Sequence, residues 1–436
     1  MEIMIEKLRF LTDDDVREIS REFGTPVFVY SQKVLEEQAQ KALTMPNAYG
    51  LTVRYAMKAN PNTSILRILD RQGVHIDASS NFEVERAVRA GISPERILLT
   101  SQQLPENLYD DCLNRIDINL TSLEQIRKYG NYFSGKDFFG RDNKISIRVN
   151  PGLGSGGTNR TNVGGPSSSF GIWHENFEEA LKLIGHYDFE VKRLHTHIGS
   201  GSDPKVWEKV ALMSLDYAER LVKSGHPLEI LNLGGGYKVG RMSDETSINL
   251  TESGNVVKRA FEDFYDRIGI RLRLEIEPGT FLVANSGSLI SRVIDIVETS
   301  DYTFIKTDTG MTEVTRPSLY GAQHPLVVVP KEKRFDRFTK DYVVVGHCCE
   351  SGDVLTPEKG NPEKLSTRTL RETKIGDFLV VEGVGAYCSS MSIKNYNSFL
   401  EATEVLIDKS NIFHLIRKKQ TLGQIVQNEI VPWFIN

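Results

Sequence analysis

From residue 51 to residue 277 the chain repeats one pattern. A short β-branched run is followed by a turn and then by a segment with apolar residues at helical spacing. Eight runs read as strands, at 51–57, 74–78, 96–100, 116–121, 145–149, 191–195, 228–233 and 272–276. Between them, residues 64–71, 82–89, 206–222 and 256–268 carry apolar side chains at i, i+3, i+4 and i+7, the signature of helices with one buried face. Gly73, Gly91 and Gly225 close three of the helical segments, as residues that tolerate a left-handed C-terminal turn. Strands that alternate with helices pair in parallel. Eight such units close into a TIM barrel, and the same alternation also fits a doubly wound open sheet. The count of eight favours an α/β chain built on a TIM (β/α)8 barrel.

Beyond Glu277 the texture changes. Residues 289–297, 303–307, 325–329, 342–346 and 377–382 read as strands between turns rich in Gly, Pro and Asp, and helical periodicity returns only near 399–406. The expected organisation is an N-terminal segment, 1–35, packing with the β domain, a barrel over 36–281, and a C-terminal mainly-β domain over 282–436. Val27–Tyr30 is strand-like and can pair with either domain. Residues 151–169 form a long loop with six glycines and Arg160 after the fifth barrel strand. Loops of this length in a compact domain are usually functional.

Composition excludes several classes. A net charge of −5 without long charged runs gives no support to nucleic-acid or membrane binding. There is no apolar stretch of signal-peptide or membrane-spanning length. Four cysteines, Cys112, Cys348, Cys349 and Cys388, make neither a disulfide framework nor a Cys-x-x-Cys zinc motif, so a reducing cytoplasm is the expected setting.

A barrel gathers its site at the C-terminal ends of its strands, and reactive side chains crowd there. Lys58 follows the first strand and Asp77 ends the second. Arg148 and Asn150 end the fifth, and His195 and His197 the sixth. Gly234-Gly235-Gly236 follows the seventh, and Glu275 and Glu277 end the eighth before Pro278-Gly279. Lys58 at the inner end of a strand is either a partly desolvated, nucleophilic amine or a lysine that snorkels to the rim. The triple glycine suits a phosphate cradle or merely a tight turn. Glu277 neighbours Lys58 in a closed barrel. It can pair with the lysine, or keep a pyridine nitrogen protonated so that the ring draws electrons. His197 can be a ligand, a base or a stacking ring. No histidine or carboxylate stands at i+4 from it, which makes a poor metal motif. In the β domain, Gly346–Asp353 sets two cysteines and two carboxylates in a glycine-bounded turn, which argues for an accessible thiol.

The motifs Tyr55-Ala-Met-Lys58-Ala-Asn60, His197-Ile-Gly-Ser200, Gly234-Gly-Gly236, Glu277-Pro-Gly279, Arg316-Pro-Ser-Leu-Tyr320, Cys349-Glu-Ser-Gly-Asp353 and Gly385-Ala-Tyr387 occur in that order between about residues 23 and 407. Together they resemble the fold-type III (alanine racemase-like) pyridoxal-phosphate decarboxylases, and within them the branch that acts on diaminopimelate. The resemblance implies a homodimer with shared active sites and pyridoxal 5′-phosphate as cofactor. It implies that Lys58 carries the cofactor as a Schiff base, His197 stacks on its ring and Glu277 pairs with its ring nitrogen. Asp77 joins the cofactor-binding set. Ser200, Gly234, Gly235, Gly236, Gly279 and Tyr387 would hold the phosphate. Cys349 would be the general acid, reaching in from the second subunit with Glu350, which binds the distal ammonium. Arg316, Tyr320 and Tyr387 complete the substrate site.

Two departures bear on the substrate. The family usually has arginine after Glu-Pro-Gly, where it helps to bind a distal carboxylate. This chain has Thr280. The family's Ser-Lys-Phe-Gly is Ser168-Ser169-Phe170-Gly171. Lost clamp charge fits D-lysine or D-ornithine as an alternative to meso-diaminopimelate, and Arg160 is one candidate replacement for the missing cation. A non-catalytic regulatory paralogue is also conceivable, but such proteins tend to lose the lysine or the thiol, and this chain keeps Lys58, Cys349 and Glu277. A racemase would share the lysine and leave the Cys349 turn without a purpose.

Overall fold

Strands buried on both faces must be covered by helices outside and fill a barrel inside, so their side chains read as near-continuous burial rather than alternation. Lys144–Asn150 is buried at six successive positions. The computed structural model describes residues 5–106, 115–133, 143–153, 164–197, 201–334 and 338–435. The chain divides into two compact units. One comprises Leu35–Val239 and Thr246–Leu282, the other Met1–Val34, Gly240–Glu245 and Val283–Asn436.

The first unit is a closed barrel. Leu51–Ala56, His75–Ala78, Ile97–Thr100, Asp117–Leu120, Lys144–Asn150, Glu190–Thr196, Ile230–Asn232 and Arg273–Ile276 pair in parallel in chain order. Leu274 opposite Leu51 closes the ring. Thr63–Arg71, Asn81–Arg89, Pro204–Lys223 and Leu250–Ile268 are helices in the expected places. Gly73, Gly91 and Gly225 all have φ between 87° and 99°. Inside the barrel a layer of charges lies below the site. Arg54 and Arg193 each grip Glu275 with two hydrogen bonds of 2.9–3.3 Å, and Arg193 also reaches Asp117 at 2.8 Å. Two guanidiniums and two carboxylates balance there, which is the condition under which buried charge is tolerated.

The second unit is a mixed sheet. Its strands run in the order Arg368–Arg371, Thr339–Val345, Thr303–Thr307, Gly287–Glu298, Val27–Ser31, Thr403–Ile407 and Phe413–Arg417, and Phe378–Glu382 joins Leu326–Val329 to Gly287–Glu298. Val27–Ser31, left open between the two domains by sequence, pairs with Gly287–Glu298 and Thr403–Ile407. Helix Asp13–Phe23 starts at a reciprocal cap between Thr12 and Asp15 and lays Val16 and Ile19 on the sheet beside Val27, Val29, Ile290, Val380 and Val405. One sequence expectation fails here. Residues 399–406, read as returning helix, contain strand Thr403–Ile407, which is buried at all five positions. An apolar run of this length looks the same in either state, and pairing to Val27–Ser31 decides it.

Candidate active site

The residues at the barrel mouth differ from the charge layer beneath in being incompletely paired. Lys58 sits on a single 3-10 turn, Met57–Ala59, directly after the first strand. The turn ends the strand and leaves Met57 and Ala59 buried while Lys58 is exposed. Of the two sequence readings of Lys58, its exposure matches the lysine at the rim. Glu277 does not pair with it. Among the described residues the carboxyls that feel its charge are Asp77 and Glu83.

Glu277 is buried and has other partners. Asn232 Nδ2 donates to its Oε1 at 2.6 Å, and His195 Nε2 lies 3.3 Å from its Oε2. The tautomer of His195 follows from its far side. Asn119 Nδ2 faces His195 Nδ1 at 3.0 Å, and an amide nitrogen can only donate, so the ring proton lies on Nε2, toward Glu277. Burial keeps His195 below its ordinary pKa, and burial with the nearby Arg148 charge keeps His197 well below it. Both rings are therefore neutral near pH 7. Burial opposes ionisation of Glu277, but the contact with neutral His195 and the nearby Arg148 charge outweigh it and hold the carboxyl below the usual range. Asp77 goes the other way. Burial and the adjacent Glu277 push it well above the carboxylate range, against Lys58 and a hydrogen bond from Thr100. The mouth thus holds two buried carboxyls pushed in opposite directions near an amine that forms no ion pair among the described residues.

Gly234 and Gly236 have φ of 69° and 100°. A Cβ on Gly234 would stand 2.7 Å from the His197 Cβ, and one on Gly235 would stand 2.6 Å from the Glu277 carbonyl oxygen. Only glycine lets this turn lie against the ends of both the sixth and the eighth strands. Gly279 is buried just beyond the eighth. Ser200 and Arg160 lie outside the described residues, as does most of the glycine-rich loop.

The second unit carries the other expected residues. Asp353 ties the cysteine turn down, accepting from Met311 N at 2.7 Å and Cys348 N at 2.8 Å. Cys349 is exposed, and its N–H donates to Asn397 Oδ1 at 3.0 Å. The Cys348 thiol is buried instead and pushed up to about 12. Glu350 is exposed on the same turn. Tyr387 has φ of 57°, a strained conformation for a tyrosine of the kind that persists where surroundings enforce it. Arg316 and Tyr320 are the first and last residues of the helix Arg316–Tyr320, and the Tyr320 hydroxyl donates to Met391 Sδ at 4.0 Å.

Sequence reasoning passed over Asn119, Asn232 and Tyr237. Asn232 also donates to Glu275 Oε2 at 3.4 Å and accepts from Gly234 N at 2.8 Å, so it joins the charge layer, Glu277 and the glycine turn. Its position two residues before the triple glycine, on the inward-facing register of a barrel strand, was the available signal. Asn232→Ala leaves Glu277 Oε1 and Gly234 N short of a partner. A loss of about 2–4 kcal/mol of stability is expected in chemical denaturation. A loss below about 0.5 kcal/mol would show that water replaces both bonds.

Two kinds of group fit these residues. His195, His197 and Glu277 bring ligand atoms within 4.8 Å of one another, the composition of a metal site. The rest of the mouth suits a flat anionic heterocycle better. It offers an exposed amine, an ionised buried carboxylate and a glycine turn. Asp77 Oδ1 and the Tyr237 hydroxyl, both buried, have no hydrogen-bond partner among the described residues, a state normally relieved by a ligand or water.

Comparison with known proteins bears this out. Residues 32–284 match the family model described as "Pyridoxal-dependent decarboxylase, pyridoxal binding domain". Diaminopimelate decarboxylase of Escherichia coli K12 is 33% identical over 428 residues, covering 97% of each chain. A crystal structure of a diaminopimelate decarboxylase superposes with a TM-score of 0.87 at 33% identity, covering 97% of each chain. The enzyme from M. jannaschii, in co-complex with L-lysine, gives 0.87 at 25% identity over 100% of this chain and 99% of the other. More than half of the chain matches the family model and nearly all of it matches these relatives, so the chain belongs to the pyridoxal-dependent decarboxylase family.

Proposed function

We propose that this chain decarboxylates meso-diaminopimelate at its D-centre to give L-lysine. The observation that carries the reading is 33% identity to the E. coli diaminopimelate decarboxylase over 97% of both chains. Lys58 is the amine that would hold pyridoxal phosphate covalently. Gly234, Gly235, Gly236, Gly279, Ser200 and Tyr387 would hold its phosphate, His197 and Asp77 would complete the cofactor-binding set, and Glu277 would serve its ring nitrogen. When bound, the cofactor supplies a sink for the electron pair left on Cα as CO2 departs.

The chain's own residues set everything else. Glu277 stays ionised and so keeps a proton on the ring nitrogen. Neutral His195 and Asn232 hold that carboxylate in position. Glu350 binds the distal ammonium, while Arg316 and Tyr320 bind the distal carboxylate. Fixing the far end orients the scissile carboxylate relative to the ring plane. Cys349 returns a proton to Cα. We further propose that the enzyme is a homodimer in which Cys349 and Glu350 serve the second subunit's site. Cys349→Ala is expected to lower kcat about a hundredfold or more while the visible absorbance of the bound cofactor is unchanged. Loss of that absorbance would make the thiol structural.

Thr280, where relatives usually carry arginine, favours a second reading, a decarboxylase of D-lysine or D-ornithine. The deciding experiment measures CO2 release from meso-diaminopimelate, D-lysine, D-ornithine and their L-forms. Higher kcat/KM on D-lysine than on meso-diaminopimelate would replace the first reading with the second. No CO2 from any of them, with cofactor bound, would point to a non-catalytic paralogue.

A further inference from the structure

The second unit contains two neighbouring guanidiniums, Arg241 and Arg316, that form no ion pair among the described residues. Arg241 is 7% exposed. Its Nε donates to the Gly383 carbonyl at 3.0 Å, and its backbone oxygen accepts from Arg9 Nη2. Its Nη2 is buried without a hydrogen-bond partner among the described residues. Arg316 is close enough for the two charges to repel. That repulsion, after burial, helps to bring Arg241 down to about 9.

The carboxylates around the pair are bound elsewhere, although the Glu245 charge acts on Arg241 against the repulsion. Arg316 Nη1 lies 2.8 Å from His324 Nε2, and His324 Nδ1 lies 2.9 Å from the Glu382 carbonyl oxygen. A carbonyl only accepts, so the His324 proton is on Nδ1 and Nε2 is a neutral acceptor for Arg316. Cys388 is a buried thiol pushed up to about 11. The Glu245 carboxylate is engaged by Arg241 N, Met242 N and Lys359. The Glu382 carboxyl accepts from Ser288 and from Arg9 N, and burial raises it to about 7. Among the described residues neither Arg241 nor Arg316 forms an ion pair. An unpaired buried charge is costly, and two planar guanidinium forks are the usual complement of a carboxylate.

We propose that Arg241 and Arg316 form one carboxylate-binding pair that takes the distal carboxylate of the substrate, with Arg241 supplying the cation that Thr280 does not. This rests on the reading of the enzyme as a diaminopimelate decarboxylase. It makes the threonine a relocation of the clamp rather than its loss. Arg241 stands five residues after the triple glycine, outside the motifs that carry the resemblance, which is why no motif points to it.

The test compares two substrates that differ only in the distal carboxylate. Holoenzyme kcat and KM are measured on meso-diaminopimelate and on D-lysine for wild type, Arg241→Gln and Arg241→Lys. Arg241→Gln is expected to lower kcat/KM for meso-diaminopimelate by about tenfold to a hundredfold, mainly through KM, with Arg241→Lys in between. The D-lysine value should move less than about threefold. Equal losses on both substrates would make Arg241 a brace for Gly383 and overturn the pairing. If wild type turns over D-lysine but not meso-diaminopimelate, the underlying reading fails instead.

Thr280→Arg gives a second arm that leaves Arg241 in place. With the clamp already complete, it should change kcat/KM for meso-diaminopimelate by less than about twofold. A gain of tenfold or more would show that the cation is missing in the wild type, and would overturn the proposal even if the Arg241 variants do not fold.

Discussion

Lys58→Ala is expected to give a folded protein that binds no pyridoxal phosphate covalently and has lost turnover by at least about four orders of magnitude. The structural cost should be small. Lys58 is exposed on its 3-10 turn, forms no ion pair among the described residues, and leaves the packing of the turn to Met57 and Ala59. Exposed substitutions of this kind usually fall within about 0.5 kcal/mol. The charge on Lys58 acts to lower Asp77 and Glu83, so its removal should favour their neutral forms further and not destabilise them. Three measurements check this. The visible absorbance of the wild-type holoenzyme should be absent. Borohydride should fix no cofactor to the chain. The denaturation midpoint should be nearly unchanged. An added small primary amine should restore part of the rate, because the missing group is an amine and its surroundings are open. Retention of the absorbance and of covalent labelling would mean that another lysine is the attachment point.

How much of this was legible without coordinates depended on how local the signal was. All eight barrel strands follow from β-branched runs between helical segments, because a closed parallel barrel has no edge and each strand must be apolar almost throughout. Lys58, His197, the glycine turn and Glu277 follow from the rule that a barrel concentrates chemistry at strand ends. The shortfalls were of two kinds. Strand Thr403–Ile407 was read as helix because its state is fixed by a partner, Val27–Ser31, nearly four hundred residues away. The partners of Lys58 and Glu277 stayed open in the sequence, which offered a Lys58–Glu277 pair as one of two readings, because neighbouring strands do not dictate which side chains meet. Lys58 looks toward Asp77 and Glu83 on the second barrel unit, while Glu277 turns to Asn232 and His195 on the seventh and sixth strands. Glu275, read with Glu277 as one strand-end pair, belongs to the layer below, bound to Arg54 and Arg193. The two-residue period of a strand puts both side chains inside the barrel at different depths. Arg241 was invisible for a further reason. An unpaired buried guanidinium is a property of its surroundings, and no spacing in the chain encodes it.

Glu277→Gln is expected to lower kcat by about two to three orders of magnitude while cofactor still binds through Lys58. The substitution keeps the volume of the side chain and an oxygen to accept from Asn232, so the 2.6 Å contact can survive. What disappears is the fixed negative charge. A neutral amide cannot hold a proton on a pyridine nitrogen, and a preorganised charge aimed at the reacting group is worth several kcal/mol in a site shielded from water. Linkage gives a second, independent observable. The folded-state pKa of Glu277 is depressed, so the stabilisation from its ionised form is complete above the ordinary carboxylate value and is lost only as pH falls through the lower folded value. Glu277 therefore cannot produce an acid limb in the pH–rate profile between about pH 5 and 8. Any such limb should persist unchanged in Glu277→Gln, at the reduced rate. Glu277→Asp, which keeps the charge and shortens the reach, should recover part of the loss. If the glutamine variant instead turns over within about threefold of wild type, the buried carboxylate serves only to orient His195 and Asn232, and the proton on the ring nitrogen must be held by some other group.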